Sequence, residues 1–100
     1  MQDRMTKRQE LADAIQRMLR QVKKIEDEIS TVETEITSLR AFLREGGLSR
    51  DQLMKNQKRV VELIGFCTNL GGEHIELLRR LVKATETLER DFPLNGDPNG

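Results

Sequence analysis

The first half of this chain carries an unbroken heptad pattern of apolar residues, and no other feature restricts its possible folds so strongly. Apolar side chains recur at alternating spacings of four and three between residues 11 and 43. They are Leu11, Ile15, Met18, Val22, Ile25, Ile29, Val32, Ile36, Leu39 and Leu43. This spacing puts all of them on one stripe of an α-helix. The pattern therefore predicts a helix over about residues 4–45 whose stripe packs against another helix.

The composition is typical of long helices. Charged residues make up 34% of the 100 residues, Trp and Tyr are absent, and the first proline is Pro93. Proline is the residue that most strongly breaks helices, so the stretch before that position can hold two long ones. We therefore expect an all-α fold of the coiled-coil type.

The pair Gly46 and Gly47 stands where the first helix must end. Glycine readily adopts the left-handed conformation that closes many helices. Ser49 and Gln52 follow at the spacing of a capping box, in which each side chain bonds to the backbone N–H of the other residue. Stop and start signals this close together predict a tight turn at 46–49 and a second helix over about residues 50–91. The chain is thus expected to form a long antiparallel helical hairpin.

A second pair, Gly71 and Gly72, falls within the predicted second helix. No capping residue follows this pair, and the apolar stripe continues across it without a change of phase. We interpret residues 50–91 as one helix with a bend at 71–72, and two helices separated by a loop remain the alternative. Residues 1–92 then form the hairpin, and residues 93–100, which contain both prolines, are predicted to be a flexible tail.

The second helix carries more apolar surface than one neighbouring helix can cover. Its apolar side chains span more than half of the helix circumference, whereas a hairpin covers a single stripe. Leaving one flank in water would forgo about 1.5 to 3 kcal/mol for each large side chain. Exposed apolar strips of this length usually mark interfaces. We therefore expect two hairpins to dimerise into a four-helix bundle.

Specific residues can be assigned to these contacts. The seam inside the hairpin is predicted to involve Ile15, Val22, Ile29 and Ile36. The face toward a partner is assigned to one flank of the second helix, namely Phe66, Leu70, Leu77, Ala84 and Leu88. Surface charges are expected to match across the hairpin, with Glu35 near Arg59.

The sequence offers little for catalysis or metal binding. We assign no catalytic role to Ser49, because its place in the capping box already explains a serine at this position. His74 and Cys67 are two potential metal ligands, but they lie too far apart on one helix to share an ion unless another chain supplies further ligands. We expect no enzyme, no cofactor and no metal site. A pH-sensitive assembly through His74 is kept as a hypothesis.

The charge balance bears on partners and location. Seventeen basic residues balance seventeen acidic ones, so no overall field attracts nucleic acid or an anionic membrane. Residues 1–24 are locally basic, but they lack aromatic side chains for base stacking. No apolar run is long enough for a membrane span. A single cysteine and the lack of a signal peptide lead us to expect a reducing compartment, the cytoplasm or the nucleus.

Together these features predict a non-enzymatic module for protein interaction and oligomerisation, either free-standing or part of a longer chain. The expected partner is a second copy of the same chain. The main alternative is an adaptor or chaperone-like hairpin that binds an amphipathic helix of another protein. A weaker alternative is a small nucleic-acid-associated protein, whose binding would fall steeply with salt.

Overall fold

The computed structural model describes residues 2–93 as two helices joined by a short turn. Helix α1 is Gln2–Glu45 and helix α2 is Arg50–Asp91. The described residues contain no strand. This confirms the all-α helical hairpin predicted from the heptad pattern. Apart from Pro93, the predicted flexible tail lies outside the described residues.

Glycine conformation and a reciprocal cap build the turn. Gly46 and Gly47 both have a φ of +78°, in the left-handed region that other residues rarely adopt. The backbone N–H of Gln52 donates to Ser49 Oγ at 3.2 Å, and the backbone N–H of Ser49 donates to Gln52 Oε1 at 3.1 Å. The N–H of Leu53 donates to the Ser49 carbonyl at 2.9 Å. These bonds supply acceptors for N–H groups that a helix start otherwise leaves unsatisfied.

The described chain divides into two units, each containing a stretch of both helices. The first, which we call the turn unit, is Lys24–His74. Its core consists of the buried residues Val32, Ile36, Val60, Leu63 and Leu70, against which Ile25, Ile29, Leu39, Leu43 and Cys67 pack. On its surface, Arg59 Nε donates to Glu35 Oε2 at 3.0 Å. This ion pair agrees with the register expected from the sequence.

The second unit, which we call the terminal unit, contains residues 2–23 and 75–93. Ile15 and Val22 are its buried residues. Arg4 joins the two helices of this unit, because its Nη2 donates to the Asp91 carbonyl at 2.9 Å and its guanidinium lies 5.4 Å from the centre of the Phe92 ring. The contact places a cation at the negative end of α2 and satisfies a carbonyl of the last turn.

Helix α2 continues through Gly71 and Gly72 without a loop. A Cβ atom added at either residue, or at Gly65, would meet no atom within 4 Å. Glycine inside a helix is less favourable than alanine by about 1 kcal/mol. Packing within the described chain therefore gives no reason for glycine at these three positions.

We expect Gly47→Ala to lower the free energy of unfolding by about 1 to 2 kcal/mol, because a Cβ atom is strained in the left-handed conformation. The same change at Gly65, a helical position with open space around it, should raise that free energy by up to about 1 kcal/mol. Urea denaturation followed by circular dichroism at one fixed protein concentration measures both values. Effects of the same sign at both positions would contradict the conformations described above.

Candidate interaction surface

The structure distinguishes two apolar stripes on helix α2. The first, which we call the seam of α2, follows spacings of three and four. In the turn unit it contains Val60, Leu63 and Leu70, all buried, and Cys67, which packs against them. In the terminal unit the same spacing continues through Leu77, Leu81, Ala84 and Leu88, which are half-buried. Because α1 carries a single stripe of the same period, the seam is the part of α2 that the hairpin itself can cover.

The second stripe of α2 begins one residue after the seam and is open to solvent. In the turn unit it contains Val61 and Ile64, which are 69% and 40% exposed. In the terminal unit it contains Ile75 and Val82, 55% and 56% exposed, and the half-buried Leu78. Thr68 and Gly71 occupy the heptad positions between Ile64 and Ile75. We call these seven positions the outer stripe: Val61, Ile64, Thr68, Gly71, Ile75, Leu78 and Val82.

In the turn unit, Ile64 borders an open groove of about 370 Å³ whose two walls differ in polarity. Helix α2 contributes Ile64, Cys67 and Thr68, whereas α1 contributes Glu33, Ile36, Thr37 and Arg40. Ile36 belongs to the core, so the outer part of the α1 wall is polar and charged. On this face the charged side chains belong to α1, and α2 presents Ile64 and Cys67 beside the hydroxyl of Thr68.

In the terminal unit, the outer-stripe residues form a second concave patch. Ile75, Leu78 and Val82, together with Arg79, line a depression of about 350 Å³. Three of these four side chains are aliphatic, so the patch offers an apolar contact with one cation beside it. Surface of this kind is the sort that a second helix can cover.

The structure corrects the predicted partner face. Leu70 is only 5% exposed and lies in the core, so the assignment of this residue to an outer face is wrong. Leu77, Ala84 and Leu88 fall at seam positions and are half-buried. Phe66 is 50% exposed, but it lies beside Lys24, Glu28 and Thr31 on the flank opposite to Ile64.

The residues predicted for the hairpin seam on α1 are found facing inward. Ile15 and Val22 are buried in the terminal unit. In the turn unit Ile36 is buried, and Ile29 packs against the core. The stripe of α1 is thus the one that the heptad pattern indicates, whereas the partner face predicted on α2 includes residues of the seam. Both stripes of α2 follow three-and-four spacings, so their burial in the folded hairpin is what separates them.

His74 lies at a seam position of the turn unit and contacts α1. Its Nε2 is 3.1 Å from Glu26 Oε2, and 24% of its side chain is exposed. Cys67 is a free, half-buried thiol. Across residues 2–93, no group of three or more His, Cys, Asp or Glu side chains is placed to hold a metal ion. Nor does any helix in that range have the length and apolar character needed to cross a membrane.

Ion pairs in the terminal unit are exposed. Arg80 Nε lies 3.5 Å from Glu76 Oε1, and Arg90 Nε donates to Asp91 Oδ1 at 3.1 Å. The hydrogen bond and the negative charge of Asp91 raise the pKa of Arg90, which is a cation at any physiological pH in either case. Exposed pairs of this kind contribute little to stability, because water and salt screen the charges. Apolar burial is therefore the stronger source of binding energy on this surface.

We expect Leu70→Ala and Val61→Ala to separate the two stripes of α2 by their effect on stability. Leu70→Ala should lower the free energy of unfolding by about 2 to 5 kcal/mol, because it opens a cavity in the core. Val61→Ala, at a site exposed by 69%, should change it by less than about 0.5 kcal/mol. Urea denaturation at the lowest practical protein concentration, where association contributes least, measures both. If Val61→Ala lowered the free energy of unfolding more than Leu70→Ala did, the outer stripe and not the seam would be the one that packs against α1.

Comparison of this chain with protein families, with curated proteins and with solved structures finds no significant match to any of them.

Proposed function

We propose that this chain is a non-enzymatic self-association module whose copies bind through the outer stripe of α2. The observation that carries the proposal is the exposure of four large apolar side chains at heptad positions. Val61, Ile64, Ile75 and Val82 are between 40% and 69% exposed. Heptad spacing is the repeat by which helices pack against helices, and exposed apolar strips usually mark interfaces.

The size of the outer stripe supports a reversible association. Two copies would bury four such side chains each. At about 1 kcal/mol for each half-exposed side chain, their burial contributes about 8 kcal/mol. Association costs about 4 to 15 kcal/mol in lost translational and rotational freedom. Because the two terms are similar in size, we expect a dimer whose population depends on protein concentration.

The main alternative is an adaptor that receives an amphipathic helix of another protein on the same stripe. The groove beside Ile64 favours this alternative, because its charged α1 wall, with Glu33 and Arg40, could pair with charges along a foreign helix. An adaptor purified alone would remain monomeric at all concentrations. The self-association module would instead show a mass and a thermal midpoint that rise with concentration.

Ile64→Lys is expected to weaken self-association by about 100-fold or more, because it places a charge in the centre of an apolar contact. Phe66→Lys is the matched control, since Phe66 is a similarly exposed apolar residue on the opposite flank of α2. Sedimentation equilibrium over a range of concentrations gives the dissociation constant of each variant.

Loss of the dimer in Ile64→Lys but not in Phe66→Lys would support the outer stripe as the interface. Loss of the dimer in Phe66→Lys but not in Ile64→Lys would show that the interface lies on the Phe66 flank instead. A monomer for the unmodified protein at all concentrations would contradict self-association itself.

A further inference from the structure

We propose that in the terminal unit α1 joins α2 in the self-association interface, so that a face two helices wide docks on a second copy of the chain. This inference rests on the proposed self-association and adds a second helix to its interface. It is carried by three observations: the pattern of charges along α1, the exposure of apolar side chains within that pattern, and its position relative to the seam.

One stripe of α1 in the terminal unit contains no charged residue. Eight of the 18 residues from 3 to 20 are charged, namely Asp3, Arg4, Lys7, Arg8, Glu10, Asp13, Arg17 and Arg20. None of them falls on the positions that alternate by four and three between Met5 and Leu19. These positions, which we call the charge-free stripe, are Met5, Gln9, Ala12, Gln16 and Leu19. Met5 and Leu19 are 70% and 43% exposed, so the stripe presents two large apolar side chains to solvent.

The charge-free stripe lies on the same flank of the hairpin as the outer stripe. In the turn unit, Arg40 of α1 and Ile64 of α2 each follow a buried seam residue by four positions, and both line one groove. Two antiparallel helices keep this relation wherever the heptad phase is kept. In the terminal unit, Leu19 follows the buried Ile15 by the same four positions, and Leu78 has the equivalent place on α2. Leu19 and Leu78 therefore share a flank.

The outer stripe of the terminal unit is also uncharged. Ile75, Leu78 and Val82 line its depression, and Arg79 stands at the edge that is farther from the seam. Thr85, at the next heptad position, donates its hydroxyl to the Leu81 carbonyl at 2.8 Å, so its hydrogen bond is made within the helix. Together the two stripes form an uncharged face that extends across both helices.

The lack of charge on this face suits a second copy of the chain. A two-fold axis brings the same patch of both copies together, so a charge near the axis would meet its own equivalent. The two stripes avoid that repulsion, and a glutamine such as Gln16 offers both a donor and an acceptor to its symmetry mate. In the turn unit the α1 wall instead carries Glu33 and Arg40, whose removal from water is unfavourable. We therefore place the contribution of α1 in the terminal unit alone.

The second helix also brings the face closer to the size of a stable interface. Such an interface buries about 800 Å² on each partner. At 1.5 Å per residue, positions 75–85 of α2 extend only about 15 Å, and a strip of this length and one helix wide is too small. The charge-free stripe adds about 21 Å of α1 beside it. The terminal unit thus gains about twice the contact width that α2 provides by itself.

Leucine substitutions at two glutamines of α1 test the contribution of this helix. Gln16 belongs to the charge-free stripe, whereas Gln21 is an exposed glutamine directly before the seam residue Val22, on the opposite flank. Gln16→Leu should lower the dissociation constant of the dimer by about tenfold, because each copy then buries more apolar surface. Gln21→Leu should change that constant by less than about twofold, which is the precision expected of sedimentation equilibrium across a dilution series.

Lysine substitutions test the same helix in the opposite direction. Leu19→Lys should raise the dissociation constant by about tenfold or more, because it brings a charge into the uncharged face. Phe42→Lys is the matched control, since Phe42 is 47% exposed on α1 and stands directly before the seam residue Leu43, on the other flank. Circular dichroism of each variant verifies that the helices are retained.

A dimer that Ile64→Lys dissociates but that Leu19→Lys and Gln16→Leu leave unchanged would overturn the contribution of α1 and keep α2 as the interface. Equal tightening by Gln16→Leu and Gln21→Leu would also overturn it, because added apolar surface would then act without regard to position. A monomeric unmodified protein would instead overturn self-association itself, and with it a second copy as the occupant of this face. The two failures are therefore distinguishable.

Discussion

The structure depends on one geometric constraint, which is that two helices packed against each other can cover only one stripe on each. Helix α1 has a single apolar stripe, and its residues are buried or half-buried in the hairpin. Helix α2 has two, and the hairpin uses the seam. The resulting core is thin: even its least exposed residues, Leu63 and Leu70, retain 5% of their surface accessible. A core with no second layer above it gives a hairpin of this length limited stability of its own.

Local chemistry made the turn predictable from the sequence. Only glycine adopts the left-handed conformation at little cost, so Gly46 and Gly47 mark the end of α1. The spacing of Ser49 and Gln52 marks the start of α2, and both reciprocal hydrogen bonds of the capping box are present. The heptad pattern of α1 was equally informative, because α1 has no competing apolar stripe. In these cases a few neighbouring residues contain all the information required.

The assignment of the two stripes of α2 could not be obtained in the same way. Both stripes are apolar and both have helical periodicity, so periodicity alone cannot say which one faces α1. The seam also contains Cys67, His74 and Ala84, which are less apolar than the Ile64, Ile75 and Val82 of the outer stripe. Ranking positions by hydrophobicity therefore overestimates the burial of the outer stripe. The choice depends on contacts with α1, which are non-local and become visible only in the folded hairpin.

The proposed self-association accounts for a feature that the hairpin alone leaves unexplained. Val61, Ile64, Ile75 and Val82 are large and apolar, yet the hairpin leaves each of them between 40% and 69% exposed. Exposed ion pairs contribute little, so apolar burial is the stronger source of association energy. A second copy that covered these side chains would supply the second layer that the thin core of the hairpin lacks.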